Sequence, residues 1–252
     1  MHISTRPARS LIARALLAAL AVSASALLLP AHAAPDSATT AYQAAIDSPV
    51  RSADDRKDDS KRKPAEFLAF AKVRPGMRVL DLSAGAGASS ALLAAAVGPS
   101  GEVLAQGASA SPKLAARLAA TPLPNLRPLV APFDNPVPAG TAPLDLVTIN
   151  MNYHDLVNKP IDRDAMNKRI FEALKPGGYY VVIDNAAKAG SGLSATNTLH
   201  RIDEASVIAE VTKAGFKLDG KSDYLRAPSD PRDQPFFKME GKPDDKFALR
   251  FV

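Results

Sequence analysis

The feature that most constrains this chain is a short stretch in its first half that predicts a strand, a tight turn and a helix. Residues 77–87 read MRVLDLSAGAG, and an alanine-rich segment over 88–97 follows. Apolar residues on both sides of Asp81 suit a strand buried on both faces of a parallel sheet. Gly85 and Gly87 permit positive φ and leave no Cβ in the path of a ligand. A helix starting at residue 88 directs its free N–H groups back across the turn, which predicts a site for a nucleotide-like ligand.

The first 33 residues have the pattern of an export signal. Three arginines precede an apolar run over residues 16–29, and Ala31-His32-Ala33 matches an A-x-A cleavage site. The run is too short to span a bilayer comfortably, and an uncleaved anchor is the alternative. Cleavage lowers the formal net charge from +5 to about +2, so we do not expect a nucleic-acid partner. We expect a periplasmic or secreted protein without stable membrane insertion after cleavage.

Residues 34–63 are polar and precede the predicted globular domain. The run RSADDRKDDSKRK over residues 51–63 alternates in charge, which is typical of a solvated helix face or a mobile arm. Pro64 suits the first position of an apolar helix, so we place the domain at residues 64–252. The chain has no cysteine, and its four histidines show no ligand spacing, so neither thiol chemistry nor a metal ion is expected.

The rest of the chain alternates predicted strands with predicted helices, which is the pattern of a doubly wound α/β sheet. The predicted strands after the first cover residues 102–106, 126–131, 143–150, 179–184, 217–225 and 247–252. The predicted helices between them cover residues 112–120, 161–174 and 203–214. Proline interrupts the third strand, which predicts that it lies at a sheet edge. The small and polar segment 185–198 is interpreted as a flexible cover over the ligand site.

The glycine turn resembles motif I of the class I S-adenosylmethionine-dependent methyltransferases, (D/E)-x-G-x-G-x-G. Asp81, Gly85 and Gly87 match it, and Ser83 replaces the first glycine, which the motif tolerates if φ stays negative there. The sequence LKPGG over residues 174–178 resembles the turn that enters strand five in the same family. The resemblance covers residues 64–252. It implies a Rossmann-like three-layer sandwich with a seven-stranded, mostly parallel sheet and an antiparallel last strand.

The resemblance also implies S-adenosylmethionine as the cofactor, and it assigns residues to hold it. In the family an acid at the end of strand two binds the ribose, but here Gly107 stands there, preceded by Gln106. The Gln106 amide oxygen can accept one hydroxyl, unless strand alternation turns it into the sheet. Asp134 after strand three matches the acid that binds the adenine amino group, with an Asx turn as the alternative. Asn150, at the end of strand four, completes the predicted cofactor residues.

A polar cluster follows strand four and carries the predicted catalytic residues. Asn150 and Tyr153 match the ends of the family pattern (D/N/S)-P-P-(Y/F), although both prolines are absent. A histidine near its normal pKa can remove a proton from a methyl acceptor. We therefore predict His154 as the base, with Asp155 orienting it or facing the substrate and Tyr153 as a further catalytic residue. The alternative is a capping cluster with no catalytic role.

These observations favour a methyltransferase that acts on an unidentified small or surface-located acceptor. The end of strand four and the segment LHRID over residues 199–203 resemble a bacterial group of exported predicted methyltransferases. A non-catalytic binding or scaffold protein on a degenerate methyltransferase fold is the alternative, favoured by Gly107. A nicotinamide-dependent oxidoreductase is disfavoured because the G-x-G-x-x-G loop and a Y-x-x-x-K pair are absent from the sequence.

Overall fold

A computed structural model describes residues 37–141 and 143–252, which belong to one compact unit built on a seven-stranded sheet. The predicted export signal lies outside the described residues. The strands are β1 Arg78–Leu82, β2 Glu102–Gly107, β3 Leu126–Val130, β4 Leu144–Asn150, β5 Leu174–Asn185, β6 Leu218–Ser222 and β7 Lys246–Phe251. Their spatial order is β3-β2-β1-β4-β5-β7-β6, and β7 runs antiparallel to both of its neighbours. The predicted fold is confirmed, including the edge position of β3.

Helices connect the strands and cover the sheet. They are α1 Ser37–Asp47, α2 Ala53–Lys57, α3 Asp59–Arg62, α4 Pro64–Phe70, α5 Ala88–Val97, α6 Pro112–Ala120, α7 Tyr153–Val157, α8 Arg163–Ala173, α9 Thr196–Leu199 and α10 Glu204–Lys213. A short 3₁₀ turn, Phe236–Lys238, lies in the loop before β7. Among the described residues, no helix has the length and apolar character needed to cross a membrane.

The sheet separates two apolar cores because successive side chains of β1 point to opposite faces. Val79 packs on one face with residues of α1, α4 and α5, such as Phe67 and Leu93. Leu80 and Leu82 pack on the other face with residues of α8 and α10. The continuous apolar run that predicted a doubly buried strand is therefore explained by helices on both faces of the sheet.

The charged segment before residue 64 is more buried than its composition predicts. Helix α1 packs against α4 and α5. Arg51 is 6% exposed and pairs with Asp59, whereas Asp55 pairs with Arg117 of α6. The interpretation as a solvated face or mobile arm is thus wrong for these ion pairs. Arg51 is paired within the segment itself, whereas the partner of Asp55 comes from α6, which the charge pattern of the segment does not reveal.

The LKPGG sequence lies within an irregular start of β5. Leu144 pairs with Leu174, but Leu146 pairs with Tyr179, so β5 carries three more residues than β4 between these two pairs. The extra length forms a bulge, in which Gly177 takes a positive φ of 77°. Regular pairing resumes at Tyr179 and continues to Asn150 opposite Ile183, which brings the ends of β4 and β5 to the same edge as the glycine turn.

Candidate functional site

The turn after β1 contains two glycines, Gly85 and Gly87, which have different structural roles. Gly85 has φ of +57°, and a Cβ built on it meets no atom within 4 Å. Gly87 has φ of +79°, and a Cβ there would come within 2.6 Å of Leu114 on α6. Gly87 therefore permits close packing between the turn and α6, whereas Gly85 leaves open space on the side where a ligand can approach.

Gln106 takes a role that differs from the predicted one, whereas Ser83 lines the cavity described below. Ser83 has φ of +58°, so the condition under which the motif tolerates a serine there is not met. The Gln106 amide oxygen accepts the Ser83 N–H at 3.1 Å, and its amide nitrogen donates to Ala131 O at 2.6 Å. Gln106 is fully buried, so it stabilises the strained turn, and its amide group is not available for a ribose hydroxyl.

A cavity of about 1080 Å³ opens beside the glycine turn at the carboxyl ends of β1 and β4. Three stretches of the chain supply most of its walls: residues 58–63, residues 81–89 and the loop between β6 and β7. Asn150, Met151 and Asn152 close the side nearest to β4. The volume lies just above the usual range of small-molecule sites, roughly 300–1,000 Å³.

Asp81 is a buried carboxyl group at the base of this cavity. It is 2% exposed and accepts hydrogen bonds from Ser90 Oγ at 2.5 Å and from Thr148 Oγ1 at 3.1 Å. Burial raises the pKa of Asp81 to about 6, against the opposing effects of these hydrogen bonds and of the nearby Arg62 charge. The site therefore contains an acid that titrates slightly below neutral pH, with a cation beside it.

Two further polar groups face this space. Arg62 of α3 lines the cavity and lies 3.6 Å from Asp58 of the same segment. The amide nitrogen of Asn150 is buried and has no hydrogen-bond partner in the part of the chain that the structure describes. A buried donor without a partner at a cavity wall is a specific indication of a ligand contact. The sequence alone did not single out Arg62, because it is one of many charged residues in the run over residues 51–63, where positive and negative residues alternate.

Asp134 and Gly107 do not line the cavity. Asp134 is exposed in the turn after β3, and the Asn135 N–H donates to Pro132 O beside it. This placement agrees with the turn interpretation. The segment 185–198, which was interpreted as a flexible cover, does not line the cavity either, because the loop between β6 and β7 takes that place.

This covering loop is fixed to the body of the protein by a buried ion pair. Arg201 and Asp230 are fully buried at the side chain, and Arg201 Nη1 lies 2.8 Å from Asp230 Oδ2. Arg201 also donates to Ala186 O after β5 and to Gln234 O in the loop. Asp230 in turn accepts the Asp245 N–H at 2.7 Å, next to β7. A buried charge needs such pairing, so Arg201 has a structural role.

His154 is also buried, but its partner differs from the predicted one. Its Nδ1 lies 2.7 Å from Asp184 Oδ1, and its backbone N–H donates to Asp184 Oδ2 at 2.8 Å. Burial lowers the pKa of His154, but the hydrogen bond and charge of Asp184 outweigh it, and the net pKa is raised. Asp184, at the end of β5, thus orients the ring that Asp155 was expected to orient. Neither His154 nor Asp155 lines the cavity.

Tyr153, which was predicted to be catalytic, lies in a structural position and does not line the cavity. It is fully buried, its hydroxyl donates to Glu210 at 2.8 Å, and it accepts from Asn167 at 2.9 Å. Glu210 also pairs with Arg163, so the network joins α7, α8 and α10. Burial is the main cause that raises the pKa of Tyr153 well above its usual value.

Arg117 of α6 connects the glycine turn to the helices before residue 64. Its Nε donates to Ala86 O at 2.8 Å. Its two terminal nitrogens bind the Asp55 carboxylate at 2.7 and 2.8 Å. This bidentate geometry is the strong form of an arginine–carboxylate pair. One side chain therefore holds both α2 and the ligand-facing turn in position.

Comparison with known proteins agrees with this architecture. No family model matches the chain. The ubiquinone/menaquinone biosynthesis C-methyltransferase UbiE of Xanthomonas campestris pv. campestris is 34% identical over 124 residues, which are 47% of this chain and 46% of that protein. The chain thus spans just under half the length of this curated relative.

Solved structures match over more of the chain. A SAM-dependent methyltransferase from Aquifex aeolicus superposes with a TM-score of 0.58 at 17% identity, over 85% of this chain and 97% of that one. The glycopeptide N-methyltransferase MtfA complexed with S-adenosyl-L-methionine gives 0.53 at 17% identity, over 75% and 86% of the two chains. The chain has the fold of S-adenosylmethionine-dependent methyltransferases. In this methyltransferase fold, the cavity lies at the carboxyl edge of the sheet, where open α/β sheets bind their ligands.

Proposed function

We propose that this chain is an S-adenosylmethionine-dependent methyltransferase with a small or surface-located acceptor. The observation that carries the proposal is the cavity against the β1 turn, with the buried Asp81 carboxyl group, the unpartnered Asn150 amide nitrogen and the open face of Gly85 all on its wall. The matched segment of the Xanthomonas campestris relative and the superposed methyltransferases support it.

The residues on the wall fit the charges of S-adenosylmethionine. The cofactor carries an ammonium group, a carboxylate and a sulfonium. Asp81, when ionised, accepts hydrogen bonds from an ammonium group. Arg62 and the open N–H groups at the start of α5 suit a carboxylate, because Gly87 supplies no side-chain cap to that helix. Asn150 has a free donor for a further cofactor oxygen.

When bound, the cofactor supplies a methyl group that is electrophilic because it is attached to a positively charged sulfur. The protein then contributes proximity and alignment, which account for a large share of the rate in such a displacement. Leu225, Phe236 and Phe237 of the covering loop give the opposite wall an apolar character. The same loop also places Arg226, Glu240 and Lys242 on this wall, so the wall offers a small acceptor both apolar and charged contacts.

Calorimetric titration of the purified protein with S-adenosylmethionine and with its demethylated product tests this proposal. We expect one site per chain, and we expect Asp81→Asn and Asn150→Ala each to weaken binding by about 10–100-fold, the equivalent of one lost hydrogen bond to a charged group. Asp164→Asn is the matched control, because this exposed acid pairs with Lys213 outside the cavity. Absence of binding at millimolar ligand contradicts the proposal and favours a non-catalytic scaffold.

A further inference from the structure

A second cluster of ionisable side chains lies beside the cavity and is not used by the proposed function. It consists of His154 and Asp155 on α7 and of His200 at the end of α9. Their nearest ring nitrogens and carboxylate oxygen all lie within 4.8 Å of one another. His200 packs edge-on against Phe237, at 5.4 Å between ring centres, and Phe237 lines the cavity. One aromatic ring therefore separates the cluster from the cavity.

Two of the three distances between ligand atoms in the cluster suit a shared cation better than hydrogen bonds. Asp155 Oδ1 lies 3.3 Å from His154 Nε2 and 3.4 Å from His200 Nδ1. Charge-assisted hydrogen bonds are shorter, about 2.7–2.9 Å. In contrast, tetrahedral coordination with bonds of about 2.0–2.1 Å separates neighbouring ligand atoms by about 3.3–3.4 Å.

The surroundings of His154 prepare its Nε2 to act as a ligand. Nδ1 faces the fully buried Asp184 carboxylate at 2.7 Å, which favours the tautomer with the proton on Nδ1 and leaves Nε2, the ring nitrogen nearest to Asp155, as the ligand atom. The same carboxylate is fixed by the N–H groups of His154 and Asn185. A carboxylate behind a histidine is the usual outer support of a metal-binding imidazole.

The position of His200 also indicates a specific role. Its φ is +51°, which is unfavourable for a residue with a side chain, and its carbonyl accepts the Asn185 amide at 3.2 Å. This conformation holds its ring between Phe237 and His154, at 5.6 Å from the latter. The side chains of His200 and Asp155 are 37% and 41% exposed, which leaves the cluster open to solvent on one side.

We propose that His154, Asp155 and His200 bind one divalent transition-metal ion, with Asp184 positioning His154. Two imidazole nitrogens and one carboxylate select zinc or a similar ion over magnesium and calcium, which prefer oxygen ligands. Three protein ligands leave a fourth position for water or for an acceptor atom. The site replaces the predicted role of His154 as a base, because the lone pair of Nε2 cannot serve both functions. Sequence spacing does not reveal the site, since His200 comes from a separate loop.

The test measures zinc binding to the full chain without any methyl donor, so it stands independently of the methyltransferase proposal. The protein is purified without a polyhistidine tag, stripped with a chelator, and titrated with zinc against a chromophoric competitor. We expect one equivalent per chain. His200→Ala and Asp155→Asn should each weaken binding at least 100-fold. Asp184→Asn should weaken it 10–100-fold, as expected for an outer support.

Two controls keep the result interpretable. The chain that begins at Ala34 lacks His2 and His32, the other two histidines of the sequence, and should bind zinc like the full chain. Circular dichroism should show that His200→Ala and Asp155→Asn stay folded, since both side chains are partly exposed.

Cobalt bound in place of zinc should give the visible absorption of a four-coordinate ion. Binding of less than one equivalent, or binding that His200→Ala and Asp155→Asn leave unchanged, overturns the proposal.

Discussion

Asp81 illustrates how a single residue can connect the stability of the fold with ligand binding. Its pKa of about 6 results first from burial, so the folded protein holds a proton that the unfolded chain releases near its ordinary value of 3.8. Because the pKa of Asp81 is higher in the folded protein than in the unfolded chain, protonated Asp81 stabilises the fold. This stabilisation is complete below pH 3.8 and is lost as the pH rises through about 6. Ionised Asp81 is thus costly to the fold but suited to a cationic ligand.

We expect affinity for S-adenosylmethionine to rise with pH up to about 6 and then to level off. Below pH 6 the affinity should fall by up to tenfold for each pH unit, because binding an ammonium group requires release of the proton from Asp81. Asp81→Asn should bind more weakly and should lose this dependence on pH. Calorimetry between pH 4.5 and 8 checks it. An equal pH dependence in the parent and the variant contradicts the assigned role.

At the scale of elements, α2 and α6 are joined by the Asp55–Arg117 pair. Asp55 also closes the start of α2, where its carboxylate accepts the Ser52 N–H and its own N–H donates to Ser52 Oγ. Burial raises the pKa of Asp55, but the Arg117 and Ser52 contacts outweigh it and lower the pKa to about 2. Because the pKa of Asp55 is lower in the folded protein than in the unfolded chain, ionised Asp55 stabilises the fold at pH values above 3.8. This stabilisation is lost as the pH falls toward 2.

We expect Asp55→Asn to lower the free energy of unfolding by about 2 kcal/mol at neutral pH, the usual contribution of hydrogen bonds to a charged group. The difference from the parent protein should shrink between pH 4 and pH 2. Urea denaturation followed by circular dichroism provides the measurement. Asp54→Asn is the control on the same helix, since its side chain is 87% exposed, and it should change stability by less than about 0.5 kcal/mol. An equal loss of unfolding free energy in Asp55→Asn and Asp54→Asn would contradict a stabilising role for the Asp55–Arg117 pair.

At the scale of the whole molecule, residues 1–33 predict export, and the described residues begin after them. We expect the protein recovered from the periplasm of an expressing bacterium to begin at Ala34, because Ala31 and Ala33 supply the small residues that cleavage requires. Ala33→Arg should block cleavage, and Ala33→Ser should preserve it. Intact-mass spectrometry distinguishes the two forms. An unprocessed parent chain would favour the anchor interpretation.

Sequence reasoning predicted the fold well because the information lies within single segments. The buried run at β1, the glycines after it and the proline in β3 each specify local structure. The site was predicted only in part. Asp81, Gly85 and Asn150 were predicted because they sit at or next to strand ends, and all three line the candidate cavity. Arg62 and the His154–His200 cluster depend on contacts between distant segments, which no local pattern encodes.

The same limit explains the errors. Tyr153 and Gln106 are polar residues near a site, and polarity alone does not tell whether a side chain faces the ligand or a buried partner. Their hydrogen bonds to Glu210 and Ala131 settle the matter, because a buried polar group with satisfied bonds costs free energy to displace. In such cases, the direction of a side chain decides its role.

The buried Arg201–Asp230 pair has a kinetic consequence for the cavity. It fixes the covering loop to the ends of β5 and β7, so most of that loop cannot swing away without separating two buried charges. The tip around residues 240–242 is exposed. We therefore expect ligand exchange to need only local motion of the tip, on the nanosecond-to-microsecond scale of short loops, and not movement of the whole loop.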